Sequence, residues 1–289
     1  MSLFDQLVNQ ALTNQKDLAP LRMVVEKELL QQDILRELSG AGLLSRLTFI
    51  GGTCLRACYG SQRLSEDLDF TGGADFTRDA LSDVSAVLVG SLHAKYGLHI
   101  EVSEPTRETG NVDTWKLKVQ TRPGSKDMPA QRIHIDVCAI PSYQSRPMVL
   151  LNSYGVEMGT SGLIVQAQSR AEIFADKLVA FALRPNRIKN RDLWDIAWLH
   201  QQAVQPQLDL IPSKLHDHRC TSQRFAQLLT QRCQLLASQP QLALDFRQEM
   251  RRFLPAQLVA QTVDQAVYWR FLTQLMQDLC GQTLRAARE

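Results

Sequence analysis

The sequence predicts an α+β fold in two parts: an N-terminal mixed sheet flanked by helices over residues 1–168, then a C-terminal helical bundle over 169–289. Three observations predict it. A strand–helix–strand run occupies 47–70, and apolar and polar residues alternate from Leu98 to Ile140. From Ser169 onward the apolar residues recur only at helical spacing. The 289 residues suit one large domain or two small ones.

Residues 1–45 read as helical. Val24, Val25, Leu29, Leu30, Ile34, Leu35 and Leu38 recur at helical spacing, and Gly40 is expected just past the end. The run 47–70 is a strand ending at Gly51-Gly52-Thr53, a short helix, and a strand carrying Asp67-Leu68-Asp69-Phe70. Asp79 to His93 reads as another helix. Strands are expected at His99–Val102, Thr114–Val119 and Arg132–Ala139, with a turn at Pro123-Gly124-Ser125. Residues 141–168 read as loops with one strand near Leu163–Gln166. Ser169 with Glu172 is a capping box for a helix over Ala171–Leu183, and Pro185 ends that helix. Further helices fit 191–203, 221–236, 241–252 and 256–284.

A net charge of +2 argues for no nucleic acid by itself, so any such contact must come from a local patch. The six cysteines show no C-x-x-C pair and no zinc spacing. With no signal peptide apparent, they read as reduced thiols of a cytoplasmic protein, and Cys54 and Cys58 read as packing. No apolar run is long enough to span a bilayer.

The chemistry-bearing residues concentrate in 49–70. Glycines between a strand and a helix let backbone approach a ligand, and a helix start offers N–H groups to phosphate. Gly51 and Gly52 fit that use, or simply a tight turn. Thr53 caps the helix or bonds a phosphate oxygen. Ser65 bonds phosphate or closes the turn, and Arg63 meets phosphate or pairs with Glu66. Asp67 and Asp69, two apart in a strand, share a face. Like charges so placed call for a cation between them, and a divalent metal carrying a phosphate is the natural one. Asp136, alternating with Ile133, Ile135 and Val137, adds a third carboxylate; His134 reads as its neighbour.

Lys177 interrupts an apolar helical stripe and either snorkels to water or reaches an anion. Arg184, Arg187, Lys189 and Arg191 form a basic run that suits a solvated loop, a triphosphate or an RNA backbone. Asp192 and Asp195 share a helix face, and either serve as acid or base or pair with the nearby arginines.

The ordered set of Gly51-Gly52, Asp67-x-Asp69 and an apolar-flanked Asp136 resembles the nucleotidyltransferase superfamily with a polymerase-β-like core. GGTCLRACYG with RLSEDLDF, AEIFADKLVAFALR and RIKNRDLWDIAWL is more closely similar to the AbiEii/AbiGii nucleotidyltransferase toxin family, and VVEKELL to that family's lead-in. The resemblance covers roughly residues 20 to 200; past about 205 no motif matches. Many superfamily members carry Gly-Ser where this chain has Gly51-Gly52, so one serine contact is absent.

The resemblance implies that 1–168 is a nucleotidyltransferase domain. Asp67 and Asp69 would hold Mg²⁺ (or Mn²⁺) on a nucleoside triphosphate, with Asp136 completing the metal site or activating the acceptor hydroxyl. Gly51, Gly52, Thr53 and Ser65 would line the phosphates. Lys177 would contact the triphosphate, and Asp195 would be the essential acid near the acceptor. Arg63, Arg187, Lys189, Arg191 and Asp192 are possible acceptor or phosphate contacts. The implied role is the toxin of a toxin–antitoxin or phage-defence system, arresting growth by adding nucleotides to RNA, tRNA foremost, with an AbiEi-like antitoxin encoded nearby. A small molecule or a protein side chain is the alternative acceptor, and a non-catalytic nucleotide-binding module is a third reading.

Overall fold

In the computed structural model, residues 2–106, 111–122 and 130–288 are described, and the turn expected at 123–125 lies outside them. Contacts divide the chain into two compact units, Met1–Gln168 and Ser169–Glu289.

The first unit opens with α1 (Leu3–Asn14), which Ser2 and Asp5 start by a reciprocal capping box. A 3₁₀ turn, Lys16–Leu21, contains Pro20, and α2 (Arg22–Gly40) follows. The expected continuous helical stretch is thus broken, since Pro20 has no N–H to give and a fixed φ. Gly40 is the last helical residue and not beyond the end. The left-handed residue of that turn is Gly42, with φ +75°.

Next come β1 (Thr48–Ile50), α3 (Gly51–Tyr59) and β2 (Leu68–Thr71). Asp67 therefore sits one residue before its strand. The helix expected over 79–93 is a 3₁₀ turn, Arg78–Leu81, and then α4 (Val84–Tyr96), closed by left-handed Gly97. Strands β3 (His99–Ser103), β4 (Val112–Gln120) and β5 (Gln131–Cys138) match the alternation. Two strands end the unit: β6 (Ser145–Val149), unforeseen because Pro147 and its polar neighbours mask it, and β7 (Ile164–Gln168).

These strands form one seven-stranded mixed sheet in the order β3-β4-β5-β2-β1-β7-β6. Pro147 is tolerated because β6 is an edge, where a missing donor costs no ladder bond. One face of β4 and β5 is Trp115, Leu117, Val119, Ile133, Ile135 and Val137, all buried. Helix α2 packs on β5 and on α4, which also covers β3. The alternate residues, among them Thr114, Lys116, His134 and Asp136, necessarily take the opposite face.

The second unit is helical: α5 (Arg170–Leu183), α6 (Asn190–Gln201), α7 (Ile211–Asp217), α8 (Ser222–Ser238), α9 (Pro240–Met250), α10 (Ala256–Gln261) and α11 (Ala266–Ala286). Helix α7 was not expected; at seven residues it is too short to show a period. The long helix expected over 256–284 is divided at Thr262, whose φ −126° and ψ −81° leave the helical region. The expected cap at Ser169 forms. Ser169 accepts from the Glu172 N–H, while the Glu172 carboxylate goes to Lys214, 2.8 Å away. The reading of six free thiols also needs correction, for Cys233 on α8 and Cys280 on α11 are bonded to each other. Cys54, Cys58, Cys138 and Cys220 are free. Cys54 and Cys58 are buried, and burial raises the Cys54 thiol well above its usual range.

Candidate active site

Strand pairing assembles the acidic cluster. Antiparallel β1 sets Ile50 opposite Asp69, and parallel β5 sets Asp136 beside Asp69. With Leu68 beside Ile135, Asp67 falls next to His134. Asp67 Oδ1 accepts the His134 backbone N–H at 3.1 Å, and His134 Nδ1 lies 3.4 Å from the same oxygen. Asp136 Oδ1 accepts the Thr114 hydroxyl at 2.6 Å. Three carboxylates thus occupy one face of two adjacent strands, because Leu68, Phe70, Ile135 and Val137 claim the other face for the core.

Gly51 adjoins this cluster. Its φ is +75°, and a Cβ there would lie 2.9 Å from Asp69 Oδ2. A glycine is needed on both counts, backbone angle and space. The same residue begins α3, whose N-terminus has no side-chain cap. The first N–H groups of a helix have no intrahelical partner and favour an anion.

Thr53 and Ser65, expected to line phosphates, bond to protein groups. Both are buried, their hydroxyls are 2.6 Å apart, and Thr53 also donates to the Asp67 carbonyl. They fix the backbone that presents Asp67. Arg63 is buried too, with Nη1 donating to the Leu64 carbonyl at 2.9 Å, while Glu66 pairs with Lys27 at 2.9 Å.

Sequence reasoning missed Glu28. This buried α2 residue accepts the Ser65 N–H at 2.7 Å on one oxygen, and Arg56 Nε at 3.1 Å with the Tyr154 hydroxyl on the other. It ties α2, α3 and the Tyr154 loop to the segment leading into Asp67. The available signal was an acid flanked by Val25, Leu29 and Leu30, on a helix that otherwise faces the core.

Among the described residues, no three His, Cys, Asp or Glu stand close enough to hold a metal ion without side-chain adjustment. The donor chemistry nevertheless suits a hard divalent ion. All three acids offer oxygen, the donor such an ion prefers.

In the helical unit, Lys177 neither snorkels nor stands open. It is buried on α5 between two α6 carboxylates, 2.9 Å from Asp192 and 2.7 Å from Asp195. Arg184 reaches the second oxygen of Asp192 at 3.0 Å. Burial opposes the charge on Asp192, but Lys177, Lys189 and Arg184 together hold its carboxyl well below the usual range. The basic run is also partly committed. Besides Arg184, Arg191 stacks over Phe253 at 4.9 Å and lies 3.5 Å from Glu249. Arg187 is exposed and Lys189 half-buried.

Residues 33–274 match the family described as nucleotidyl transferase AbiEii toxin, type IV TA system. No curated protein matches the sequence. Among solved structures, MenT4, a nucleotidyltransferase toxin from Mycobacterium tuberculosis H37Rv, is similar with a TM-score of 0.58 at 17% identity, over 98% of this chain and 92% of that one. A nucleotidyltransferase described as putative, from H. pylori, gives 0.51 at 18% identity, over 91% and 96%. At these identities the two likenesses bear on the fold. The family match spans most of the sequence and runs well beyond residue 205, through helices in which no motif was recognised. The chain belongs to the AbiEii family: it is a nucleotidyltransferase toxin of a type IV toxin–antitoxin system.

Proposed function

We propose that this nucleotidyltransferase toxin transfers a nucleoside monophosphate from a nucleoside triphosphate to a hydroxyl of RNA, tRNA in the first instance, and so arrests growth. The observation that carries the reading is the trio Asp67, Asp69 and Asp136 on adjacent strands, with Gly51 packed against Asp69 at an uncapped helix start. Asp67 and Asp69, joined by Asp136, would hold Mg²⁺ or Mn²⁺; the bound ion would neutralise phosphate charge and polarise the reacting phosphorus. The Gly51 and Gly52 N–H groups meet phosphate oxygens at the start of α3.

The acceptor hydroxyl oxygen bonds to the α-phosphorus, the α–β bridging bond breaks, and pyrophosphate leaves. We give the hydroxyl proton to Asp136. The Thr114 hydroxyl orients Oδ1, and Oδ2 makes no bond among the described residues, which supports that role. Thr53, Ser65 and Glu28 act behind the site by fixing the backbone of Asp67. To Lys177 we assign the triphosphate contact, and to Asp195 the essential acid, as the family resemblance implies. Positioning and electrostatics supply most of the rate. The partner that restrains the toxin is an AbiEi-like antitoxin encoded nearby, and the site of action is the cytoplasm. Among the described residues no helix is long and apolar enough to cross a membrane.

The test is incubation with each α-labelled nucleoside triphosphate, Mg²⁺ and total RNA. Label in tRNA-sized RNA is expected, and Asp67→Ala should abolish it. Label on protein or small molecules instead would overturn RNA as the acceptor. Transfer undiminished in Asp67→Ala would overturn the metal site.

A further inference from the structure

The helical unit carries a piece of chemistry that the proposed function does not use. Cys233 and Cys280 are joined by a disulfide across α8 and α11. Each lies on the apolar stripe of its helix. Phe225, Leu229, Cys233 and Leu236 recur at helical spacing on α8, and Leu272, Met276, Cys280 and Thr283 do so on α11. The two helices pack on each other, and the bond fastens them there. A disulfide is unusual in the cytoplasm, where those that form are mostly transient and redox-sensing.

Exposure sets an order on the pair. Cys280 is buried and Cys233 is half-buried, so an oxidant in solution meets Cys233 first. The vicinal pair on α3 is less suited to oxidation. Cys54 and Cys58 are both buried, and burial raises the Cys54 thiol well above its usual range.

The bond also reaches the charge cluster of α5 and α6. Arg232, next to Cys233, donates through Nη2 to the Arg184 carbonyl at 2.7 Å, where α5 ends. The Arg184 guanidinium lies 3.0 Å from Asp192, which is 2.9 Å from Lys177. Fastening α8 at Cys233 therefore fastens the end of α5 that holds this cluster.

We infer that Cys233 and Cys280 form a reversible redox clasp. Closed, it holds α8 on α11 and Arg232 on the end of α5; opened by reduction, it loosens that hold and slows transfer. The oxidant is a hydroperoxide. The Cys233 sulfur attacks one oxygen of hydrogen peroxide, forming a sulfenic acid and releasing water. The Cys280 sulfur then attacks the Cys233 sulfur, and the sulfenic oxygen leaves as a second water. The two thiols give up two protons and two electrons, and the peroxide takes up both. A dithiol reverses the step. The effect on transfer rests on the proposed function, through the roles given to Lys177 and Asp195; the clasp itself does not.

The test uses the full chain, reduced with dithiothreitol, freed of it, and treated with stoichiometric hydrogen peroxide. Thiols titrated after unfolding should fall from six to four, and dithiothreitol should restore them. Peptide mapping should find residue 233 linked to residue 280. Oxidation should raise the melting temperature, followed by tryptophan fluorescence, by roughly 5 °C or more. It should also raise kcat several-fold. Cys233→Ser should lose every one of these responses, and Cys220→Ser should keep them. In Arg232→Ala the bond should still form and still raise the melting temperature, while kcat no longer responds to oxidation. That split separates positioning of the cluster from stability alone.

Six thiols after peroxide, linkage of any other pair, or an unchanged melting temperature would overturn the clasp. Bond formation with equal kcat in the two redox states would overturn its effect on transfer. If no form transfers nucleotide, the proposed function fails, and thiol count and melting temperature still decide the clasp. If transfer proceeds and ignores oxidation in every variant, the function stands and the coupling fails.

Discussion

Gly51 couples backbone strain to site geometry, and its neighbour in kind, Gly42, separates the two effects. Both have φ +75°, but a Cβ at Gly42 meets nothing within 4 Å, while one at Gly51 comes within 2.9 Å of Asp69 Oδ2. Gly42→Ala should therefore cost only the left-handed backbone, about 1–2 kcal/mol, with transfer unchanged. Gly51→Ala should cost at least that much and displace the Asp69 carboxylate, so kcat should fall by more than tenfold. Urea unfolding beside a transfer assay checks the pair. Equal activity in the two variants would mean that Asp69 tolerates displacement. The conformational demand on Gly51 was legible in the sequence as one of two readings. Its contact with Asp69 was not, since that depends on antiparallel pairing of Ile50 with Asp69.

At the scale of elements, α5 and α6 are joined by a charge cluster, buried Lys177 and half-buried Arg184 against two buried carboxylates. Removing Lys177 takes one cation from two buried carboxylates; breaking a buried ion pair typically costs 3–5 kcal/mol, so about that loss is expected from Lys177→Met. Intrinsic fluorescence is the natural probe, because Trp194, Trp198 and Trp269, three of the four tryptophans, belong to the helical unit. Acid should act on the same cluster. The Asp192 carboxyl is held below its unfolded value, so its stabilisation is complete above about pH 5 and is lost as pH falls through 4 and lower. Asp192→Asn should flatten the fall in stability below pH 5 and leave the slope above it unchanged. A steeper fall would show that Asp192 is not the group responsible. The helices themselves were readable from periodicity and from Ser169 and Pro185. The pairing of Lys177 with both aspartates was not, because an interrupted stripe shows that a charge is present and not what it faces. Glu28 was hidden for the same reason, since its four-element network exists only once α2 lies beside the Asp67 segment.

For the whole molecule, a net charge of +2 means that no broad field draws RNA to the surface, so the proposed affinity for RNA requires a local arrangement. This gives the salt dependence a meaning. Each phosphate neutralised on a single strand contributes roughly −0.7 to the slope of log K against log salt, so two contacts alone predict about −1.4. A slope near −3 would require about two further contacts. Arg187, exposed, and half-buried Lys189 are the members of the 184–191 run to examine for them. Measuring the slope in wild type and in an Arg187→Ala/Lys189→Ala variant decides how far recognition extends. An unchanged, shallow slope would leave Arg187 and Lys189 out of phosphate contact. A drop of about 1.4 in the double variant would bring the helical unit into acceptor binding, restoring part of the basic segment's expected role.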